Sequence, residues 1–265
     1  MQVIANNMDT VYYELCQALL LKGDDVTNTR ELRNVQFTLT NVENNVVGNR
    51  DISLPYAFGE LVWYFTGSNS VEFISKFGSL WKKISDDGVT SNSAYGYILM
   101  DKYGFNQIQK IIELLRADPH SRRAVMNINV PNENVIETKD EPCTIALQFL
   151  IRNNKLTCTT MMRSNDIWFG VPYDVIFFTE IQKYIAMELG IECGDYNHFA
   201  TSLHAYEKDF SKVKSVKERG EKHIKLNISN LLEWKQFIYD ETMIAKDPKD
   251  FVVRMFDQFK IYEEI

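Results

Sequence analysis

Two strand-like runs separated by an Asn-Asn pair constrain the fold of this chain most. Residues 144–151 and 155–162 are predicted to be β-strands, and Asn153 and Asn154 between them predict a tight hairpin turn. A third strand is predicted over residues 124–130. The apolar run 173–189, closed by Gly190, predicts a long helix soon after the hairpin.

Further helices and strands are predicted before and after this hairpin, and the two kinds of element alternate along the sequence. Apolar spacing predicts helices over residues 8–21, 56–65, 69–84 and 106–117, and alternation predicts strands over 34–41 and 197–206. The charged tail from about residue 207 yields no prediction. Because helices and strands alternate and several strands are antiparallel neighbours, we expect an α/β (α+β) single domain, residues 1–265, with one mixed β-sheet flanked by helices.

Composition narrows the class of function. The 265 residues are 45% hydrophobic and 25% charged, which is ordinary for a globular protein with a sizeable core. A net charge of −7 argues against a nucleic-acid binder, although a local arginine cluster could still hold a small anion. The four cysteines lack metal-ligand spacing, and the opening residues do not resemble a signal peptide. We therefore expect a cytoplasmic protein with free thiols and no metal or membrane partner.

Cys143 is the candidate nucleophile. It directly precedes the strand 144–151, and Arg163 follows twenty residues later. The thiolate is the reactive form of cysteine, and an adjacent arginine lowers the pKa of a thiol. A lone cysteine beside an apolar strand is more often a packing residue. The motifs that follow it favour a thiolate that acts on an anionic substrate.

Two further pairs of residues stand out. Arg122 and Arg123 lie at the junction of a predicted helix and a predicted strand, where one can serve structure and the other a ligand. His204 and Tyr206 fall on one face of the strand 197–206. Taken alone, each pair is also compatible with an ordinary surface or core position.

The order and spacing of these motifs resemble the thymidylate synthase family. From about residue 35 to 210 the chain carries Arg-Arg, Pro-Cys, Arg-Ser-x-Asp, Phe-Gly-x-Pro and His-x-Tyr in the family's order. A Glu-Leu-x-Trp helix around Glu60 and a Tyr-Gly turn at Tyr95 match as well. The resemblance implies one-carbon transfer from the co-substrate 5,10-methylenetetrahydrofolate to C5 of a pyrimidine nucleotide. It also implies a homodimer formed through one face of the sheet.

The resemblance assigns a role to each matched residue. The implied residues are catalytic Cys143, Glu60, Tyr95 and Asp174; nucleotide-binding Arg122, Arg123, Arg163, Ser164, Asp174, His204 and Tyr206; and folate-binding Trp81, Asp166 and Gly170. In these roles Cys143 would attack C6 of the base, while Glu60 and Tyr95 would organise water and proton transfer.

Other matched residues would hold the nucleotide. Arg163 and Ser164 would bind the 5′-phosphate, for which a bidentate guanidinium is well suited. The pair Arg122 and Arg123 would reach into the phosphate site of the partner subunit, and His204 with Tyr206 would bind the 3′-hydroxyl of the sugar.

Asp174 is the most informative departure from the family, whose thymidylate-forming members carry Asn at this position. An Asn amide offers one donor and one acceptor, which matches O4 and N3–H of uracil. An ionised Asp only accepts hydrogen bonds, so it suits the 4-amino group of cytosine; once protonated it can satisfy both positions of that base. An unpaired buried polar group costs about 1–3 kcal/mol, so we expect a cytosine preference of roughly tenfold to a few hundredfold.

Five other departures are informative. Thr144 replaces a His that usually follows the nucleophile, and Ile84 replaces the second of two tryptophans over the folate. The segment 202–204 reads Ser-Leu-His, as in phage-type deoxycytidylate hydroxymethylases. At the family's mobile phosphate loop Asp25 replaces an arginine, for which Arg30 or Arg33 could substitute. The final residues, including Ile265, lack the small apolar tail of the methylating enzymes.

The favoured interpretation is a hydroxymethyltransferase acting on dCMP. A thymidylate synthase acting on dUMP, a C5 methyltransferase acting on dCMP, and either activity on CMP remain open. A non-catalytic binding or regulatory dimer is disfavoured, because a binder needs no nucleophile.

Overall fold

The predicted hairpin forms part of the central sheet in the computed structural model of this protein, which describes residues 1–220 and 224–264. Asn153 and Asn154 both adopt left-handed backbone conformations, with φ of 52° and 59°. The turn fixes the register so that Arg152 pairs with Lys155 at one end. This register then determines which residues meet at the far end of the hairpin.

The strands are β1 (Gln2–Ala5), β2 (Asp24–Val26), β3 (Thr29–Leu39), β4 (Val125–Asn127), β5 (Thr144–Arg152), β6 (Lys155–Met162), β7 (Asn165–Asp166), β8 (Glu192–Tyr206), β9 (Ile224–Leu226) and β10 (Tyr262–Glu264). The α-helices are α1 (Met8–Lys22), α2 (Leu54–Phe65), α3 (Val71–Ser75), α4 (Leu80–Ile84), α5 (Tyr95–Met100), α6 (Gln107–Ala117), α7 (Val171–Leu189), α8 (Phe210–Lys214), α9 (Ile228–Ile244) and α10 (Pro248–Gln258).

The main sheet is mixed, as the sequence predicts. Its strand order is β1-β3-β8-β6-β5-β4, with β2 paired to β3 and β7 paired to β8. The pairs β1–β3, β6–β8 and β7–β8 are parallel, and the others are antiparallel. Helix α7 crosses from the end of the hairpin to β8 and packs on β6 and β8. The α/β class with one mixed sheet flanked by helices is thus confirmed.

The core is one continuous apolar cluster. Helix α2 is buried over most of its length, and α10 and α9 pack against it. Phe256 of α10 stacks on Phe58 of α2 with ring centroids 4.1 Å apart. The charged tail therefore completes the core around α2.

None of the described helices combines the length and apolar character that a membrane span requires.

Four predicted elements are wrong in extent. The strands predicted over 34–41 and 197–206 are β3 and β8, and each begins five residues earlier than predicted. The helix predicted over residues 69–84 is divided into α3 and α4, because Phe77 between them packs directly over Gly59 of α2. The strand predicted over 124–130 shrinks to β4. The N–H groups of Ile128 and Asn129 both donate to the carbonyl of Ile145, at a shift of register in β5 that ends the regular ladder.

We predict that Gly96→Ala destabilises the protein. A Cβ at Gly96 would overlap the backbone carbonyl of Tyr64 in α2, so α5 would have to move away from the core. Overpacking of this kind costs about 1–3 kcal/mol or more. Denaturant unfolding should show a midpoint clearly below that of Gly78→Ala, where an added Cβ meets only the Tyr56 ring at 3.5 Å. Equal midpoints for the two variants would contradict this account of the α2–α5 contact.

Candidate active site

The hairpin brings Cys143 and Arg163 together. Thr144 at the start of β5 pairs with Met162 at the end of β6, so the residues just beyond them become neighbours. The N–H of Arg163 donates to the carbonyl of Cys143 at 2.9 Å. Nη2 of Arg163 lies 3.7 Å from Sγ of Cys143. The structure therefore places the expected cation directly beside the thiol.

Backbone carbonyls hold the Arg163 guanidinium in place. Its Nε donates to the carbonyl of Pro142 at 3.0 Å, and its Nη2 donates to the carbonyl of Glu141 at 2.7 Å. The residue as a whole is exposed. A guanidinium fixed on one side and open on the other is suited to bind an anion next to the thiol.

The thiol is nevertheless protonated in the free protein. Burial raises the pKa of Cys143 to about 11, and this effect outweighs the lowering by Arg163. The carboxyl groups of Asp174, Asp140 and Asp166 raise it further. The expected lowering of the thiol pKa by Arg163 is thus present, but burial destabilises the thiolate by more, so the net pKa of Cys143 lies above its ordinary value.

A cavity of about 630 Å³ opens next to Cys143. Its wall contains the predicted site residues Trp81, Tyr95 and Arg163, together with Ile84 at the position of the missing second indole. Four residues predicted from separate motifs, counting Cys143, thus share one cavity. Its volume falls within the range of cavities that hold small organic ligands.

Glu60 is buried in α2 and held by a residue that no sequence motif identified. The hydroxyl of Tyr56, one helical turn earlier, donates to Oε1 of Glu60 at 2.8 Å. The same hydroxyl accepts from Nε1 of Trp81 at 2.8 Å. The i, i+4 spacing of Tyr56 and Glu60 was the available signal. The contact links an indole of the cavity wall to a buried carboxyl group.

The environment of Glu60 favours its neutral form. Burial raises its pKa to about 8, whereas the hydrogen bond from Tyr56 lowers it and the charge of Asp174 raises it. A carboxyl group with this pKa can both give and take a proton near neutral pH. Tyr95 is buried close by, with its ring stacked on that of Tyr64 at 5.6 Å.

Asp174 lies in the first turn of α7, and its carboxyl group has one clear partner. Nδ2 of Asn165 donates to its Oδ2 at 2.7 Å. Burial raises the pKa of Asp174 to about 7, the Asn165 contact lowers it, and the charge of Asp166 raises it. Gly170 allows this approach, since a Cβ there would lie 2.7 Å from Nδ2 of Asn165. Asp174 therefore titrates near neutral pH.

The residues expected around the sugar and the pterin are adjacent. Asp166 of β7 pairs with His204 of β8, and the rings of His204 and Tyr206 meet edge to face at 5.4 Å. Oδ1 of Asp166 accepts from the backbone N–H groups of Trp168 and Phe169, which fixes the turn before α7. Burial raises the pKa of Asp166, and the charge of His204 lowers it.

The expected phosphate residues are only partly assembled within this chain. Ser164 follows Arg163, but Arg122 and Arg123 are exposed and do not line the cavity of Cys143. The two candidate substitutes for the loop arginine are engaged elsewhere. Arg30 pairs with Asp25 at 2.7 Å and Arg33 pairs with Asp24 at 3.2 Å, both across the β2–β3 hairpin.

A second cavity, of about 580 Å³, was not anticipated from the sequence. It is lined by Arg50, Trp168 and Lys212 among others, and the Arg50 guanidinium lies 3.8 Å from the centroid of a Trp168 ring. Its cationic wall could hold the carboxylates of an extended ligand. Within residues 1–220 and 224–264, no three or more His, Cys, Asp or Glu side chains gather as metal ligands would.

Comparison with known proteins agrees with this arrangement. The chain is similar to a deoxyuridylate hydroxymethyltransferase of Bacillus phage SP01, with 30% identity over 219 residues, which is 76% of this chain and 57% of that protein. It is also similar to a deoxyuridylate hydroxymethyltransferase of Pseudomonas phage M6, with 31% identity over 167 residues, 62% of this chain and 48% of that one. The chain thus spans about half the length of these relatives.

The family model for thymidylate synthase matches residues 10–259, which extends well beyond the segment 35–210 that carries the sequence motifs. The match includes all of α9 and α10, so most of the tail that gave no prediction belongs to the same family domain. This chain is a member of the thymidylate synthase family.

Proposed function

We propose that this protein is a cytoplasmic transferase that moves the one-carbon unit of 5,10-methylenetetrahydrofolate to C5 of dCMP and adds water. The products would be 5-hydroxymethyl-dCMP and tetrahydrofolate. The observation that carries the choice of base is Asp174, a carboxyl group whose pKa is raised to about 7 beside the nucleophile. Its chemistry complements cytosine better than that of the Asn found in thymidylate-forming relatives.

The complementarity to cytosine follows from donors and acceptors. A protonated Asp174 would donate from one oxygen to N3 of cytosine and accept the 4-amino group on the other. A proton held at N3 withdraws electrons from C6 and so assists attack by sulfur. With a pKa near 7, Asp174 can hold this proton at neutral pH and share it with the base.

The reaction then balances without an oxidant. The sulfur of Cys143 loses its proton and bonds to C6, C5 bonds to the transferred carbon as that carbon's bond to N10 of the folate breaks, and the C5 proton leaves. Release of tetrahydrofolate produces an exocyclic methylene on the base. Water adds its hydroxyl to this carbon, and the C6–S bond breaks to restore the ring. Glu60 would accept and return the protons, since its pKa of about 8 lies near the working pH.

We further propose that Trp81, Asp166 and Gly170 hold the folate, with the cationic wall around Arg50 as a place for its carboxylates. The nucleotide would be held by Arg163 and Ser164 at the phosphate, and by His204 and Tyr206 at the sugar. These assignments are supported by the shared cavity of Trp81 with Cys143 and by the pairing of Asp166 with His204.

A homodimer would complete the phosphate site. Arg122 and Arg123 are exposed and can serve a neighbouring subunit, as expected from the family resemblance. The adjacent strands β6 and β8 carry the paired residues Met161 and Phe199, both partly exposed in the single chain. Burial of such a sheet face against a second copy would cover this apolar surface.

A second candidate is the same hydroxymethylation on dUMP. The two phage relatives are named for deoxyuridylate, and a protonated Asp174 can also donate to O4 of uracil while it accepts from N3–H. A methyl product, formed by hydride transfer from tetrahydrofolate, is the third possibility. Wild-type substrate choice and product mass separate all three.

We expect the wild-type protein, incubated with methylenetetrahydrofolate, to add one CH2O unit to dCMP without producing dihydrofolate. Mass spectrometry of the nucleotide and absorbance of the folate report the two products. Cys143→Ala should abolish turnover, because the carbon transfer requires the covalent bond to C6. Addition of CH2 to dUMP with dihydrofolate formation would instead identify a thymidylate synthase.

Asp174→Asn should shift the preference from dCMP towards dUMP. The amide supplies one donor and one acceptor to uracil and can no longer hold a proton for N3 of cytosine. The ratio of kcat/KM for dCMP to that for dUMP should fall by roughly tenfold to a few hundredfold. Asp195→Asn, at an exposed position, serves as the control and should leave the ratio unchanged. Full dCMP preference in the Asp174 variant would refute this account of base selection.

Tyr56→Phe should change the pH dependence of the reaction. The Tyr56 hydroxyl lowers the pKa of Glu60, so its removal raises that pKa above about 8. If the Glu60 carboxylate is the active base, the rising limb of kcat/KM against pH moves upwards by roughly one to two units. Tyr103→Phe, a partly exposed site, is the matched control. An unmoved limb would show that Tyr56 does not tune Glu60.

A further inference from the structure

A buried chain of polar side chains leads from the sheet to Asp174. Nε2 of His198 lies 3.0 Å from Oδ1 of Asn165, whose Nδ2 donates to Asp174. On the other side of the imidazole, Nδ1 lies 2.9 Å from the hydroxyl of Tyr196, which in turn is bonded to Oγ1 of Thr160 at 3.1 Å. The four residues of this hydrogen-bonded series that lead to Asp174 are all nearly inaccessible to solvent. None of them was assigned a role from the sequence.

His198 is held as a neutral, fixed ring. Burial lowers its pKa to about 3, so it carries one N–H and not two. The ring of Phe37 stacks on it with centroids 4.6 Å apart and planes within 8°. A neutral imidazole whose Nε2 carries the proton donates to Oδ1 of Asn165 and can accept from Tyr196 at Nδ1.

This donor determines how the Asn165 amide points. With Oδ1 engaged by His198, the amide must present its NH2 group to Oδ2 of Asp174. Without that donor the amide could rotate and present its oxygen, which would then require a proton on the facing oxygen of Asp174. The tautomer of His198 is therefore coupled to the position of the proton on Asp174.

We propose that His198, acting through Asn165, is the positioning residue that sets which pyrimidine base this site selects. Because Asn165 donates to Oδ2, that oxygen is an acceptor, and any proton on Asp174 resides on Oδ1. Cytosine requires an acceptor opposite its 4-amino group and a donor opposite N3, whereas uracil requires the reverse pattern. If Oδ2 always accepts and Oδ1 always carries the proton, the site therefore binds one base and rejects the other.

The inference rests on the proposed function in one respect, that Asp174 contacts the pyrimidine. It does not depend on which base wins. If Oδ2 faces the exocyclic position the site selects cytosine, and if it faces N3 the site selects uracil. In both cases loss of the His198 donor makes the two oxygens interchangeable and removes discrimination.

The test is the ratio of affinities and of kcat/KM for dCMP and dUMP in variants at position 198. We expect the wild-type protein to favour one nucleotide by about tenfold or more, the effect of one mismatched buried hydrogen bond. His198→Phe retains a flat ring for Phe37 but has no N–H, and its ratio should fall to within about threefold of unity. His198→Gln can donate to Asn165 through its amide and should retain most of the discrimination.

Two further variants make the result specific. Phe37→Leu disturbs the packing of His198 without removing a hydrogen bond, so it should lower the melting temperature yet leave the ratio unchanged. Asn165→Leu removes the donor to Asp174 directly and should lose discrimination as His198→Phe does. The ratio for dCMP and dUMP in Asn165→Leu therefore tests the same hydrogen bond if His198→Phe does not fold.

The outcomes separate this inference from the proposed function. A wild-type preference for dUMP that collapses in His198→Phe supports the role of His198 and overturns the choice of dCMP. A preference that survives in both His198→Phe and Asn165→Leu overturns the role of His198 and leaves the proposed function standing. Calorimetry that detects binding of neither nucleotide to the wild-type protein overturns both.

Discussion

The register of the β5–β6 hairpin is the constraint on which the candidate site depends. Two asparagines with left-handed backbones set it at one end, and together with the one-residue shift at Ile145 it places Cys143 beside Arg163 at the other end. Side chains alternate between the faces of a strand, so a slip of one residue would turn the neighbours of Cys143 to the opposite face. The shift of register at Ile145 interrupts regular pairing next to Cys143, the candidate nucleophile, whose side chain faces a cavity.

Burial is the second constraint, and it gives the site its chemistry. Cys143, Glu60 and Asp174 each have a pKa raised chiefly by burial, to about 11, 8 and 7. The Cys143 thiol therefore retains its proton near neutral pH in the free site, while Glu60 and Asp174 titrate in that range. A nucleophilic addition to a pyrimidine needs a proton on the ring as sulfur attacks C6. The carboxyl groups can supply that proton, while the thiol can ionise only when the bound substrate changes its surroundings.

The sequence correctly predicted those strands and helices whose alternating or helical pattern lies entirely within one continuous segment. The alternation within β5 and β6 and the apolar run of α7 required no tertiary information. The helix predicted over 69–84 divided because Phe77 is used to cover Gly59, a contact between segments that periodicity cannot show. Strand β4 shortened for a similar reason, since its end is determined by a bulge in its partner strand.

The same limit explains which site residues were found. Motifs identified Trp81, Tyr95, Cys143 and Arg163, which share one cavity. The residues missed, above all His198, act through partners that lie far away in sequence. His198 and Asn165 are 33 residues apart and meet because β6 and β7 both lie alongside β8. A polar residue inside an alternating strand resembles any other half-buried strand position until its partner is known.

The wall of the main cavity bears on whether water or hydride completes the reaction. Trp81 is held by its N–H bond to Tyr56, and Ile84 stands where the methylating relatives have a second indole. Asp140 and Asn129, both polar, also line this cavity, and Asp140 accepts hydrogen bonds from Ser91 and the following backbone. Hydride transfer requires a reduced pterin packed against the exocyclic methylene with water excluded. A wall with one indole fewer and several polar groups retains water more readily, which supports the hydroxymethyl product that we propose.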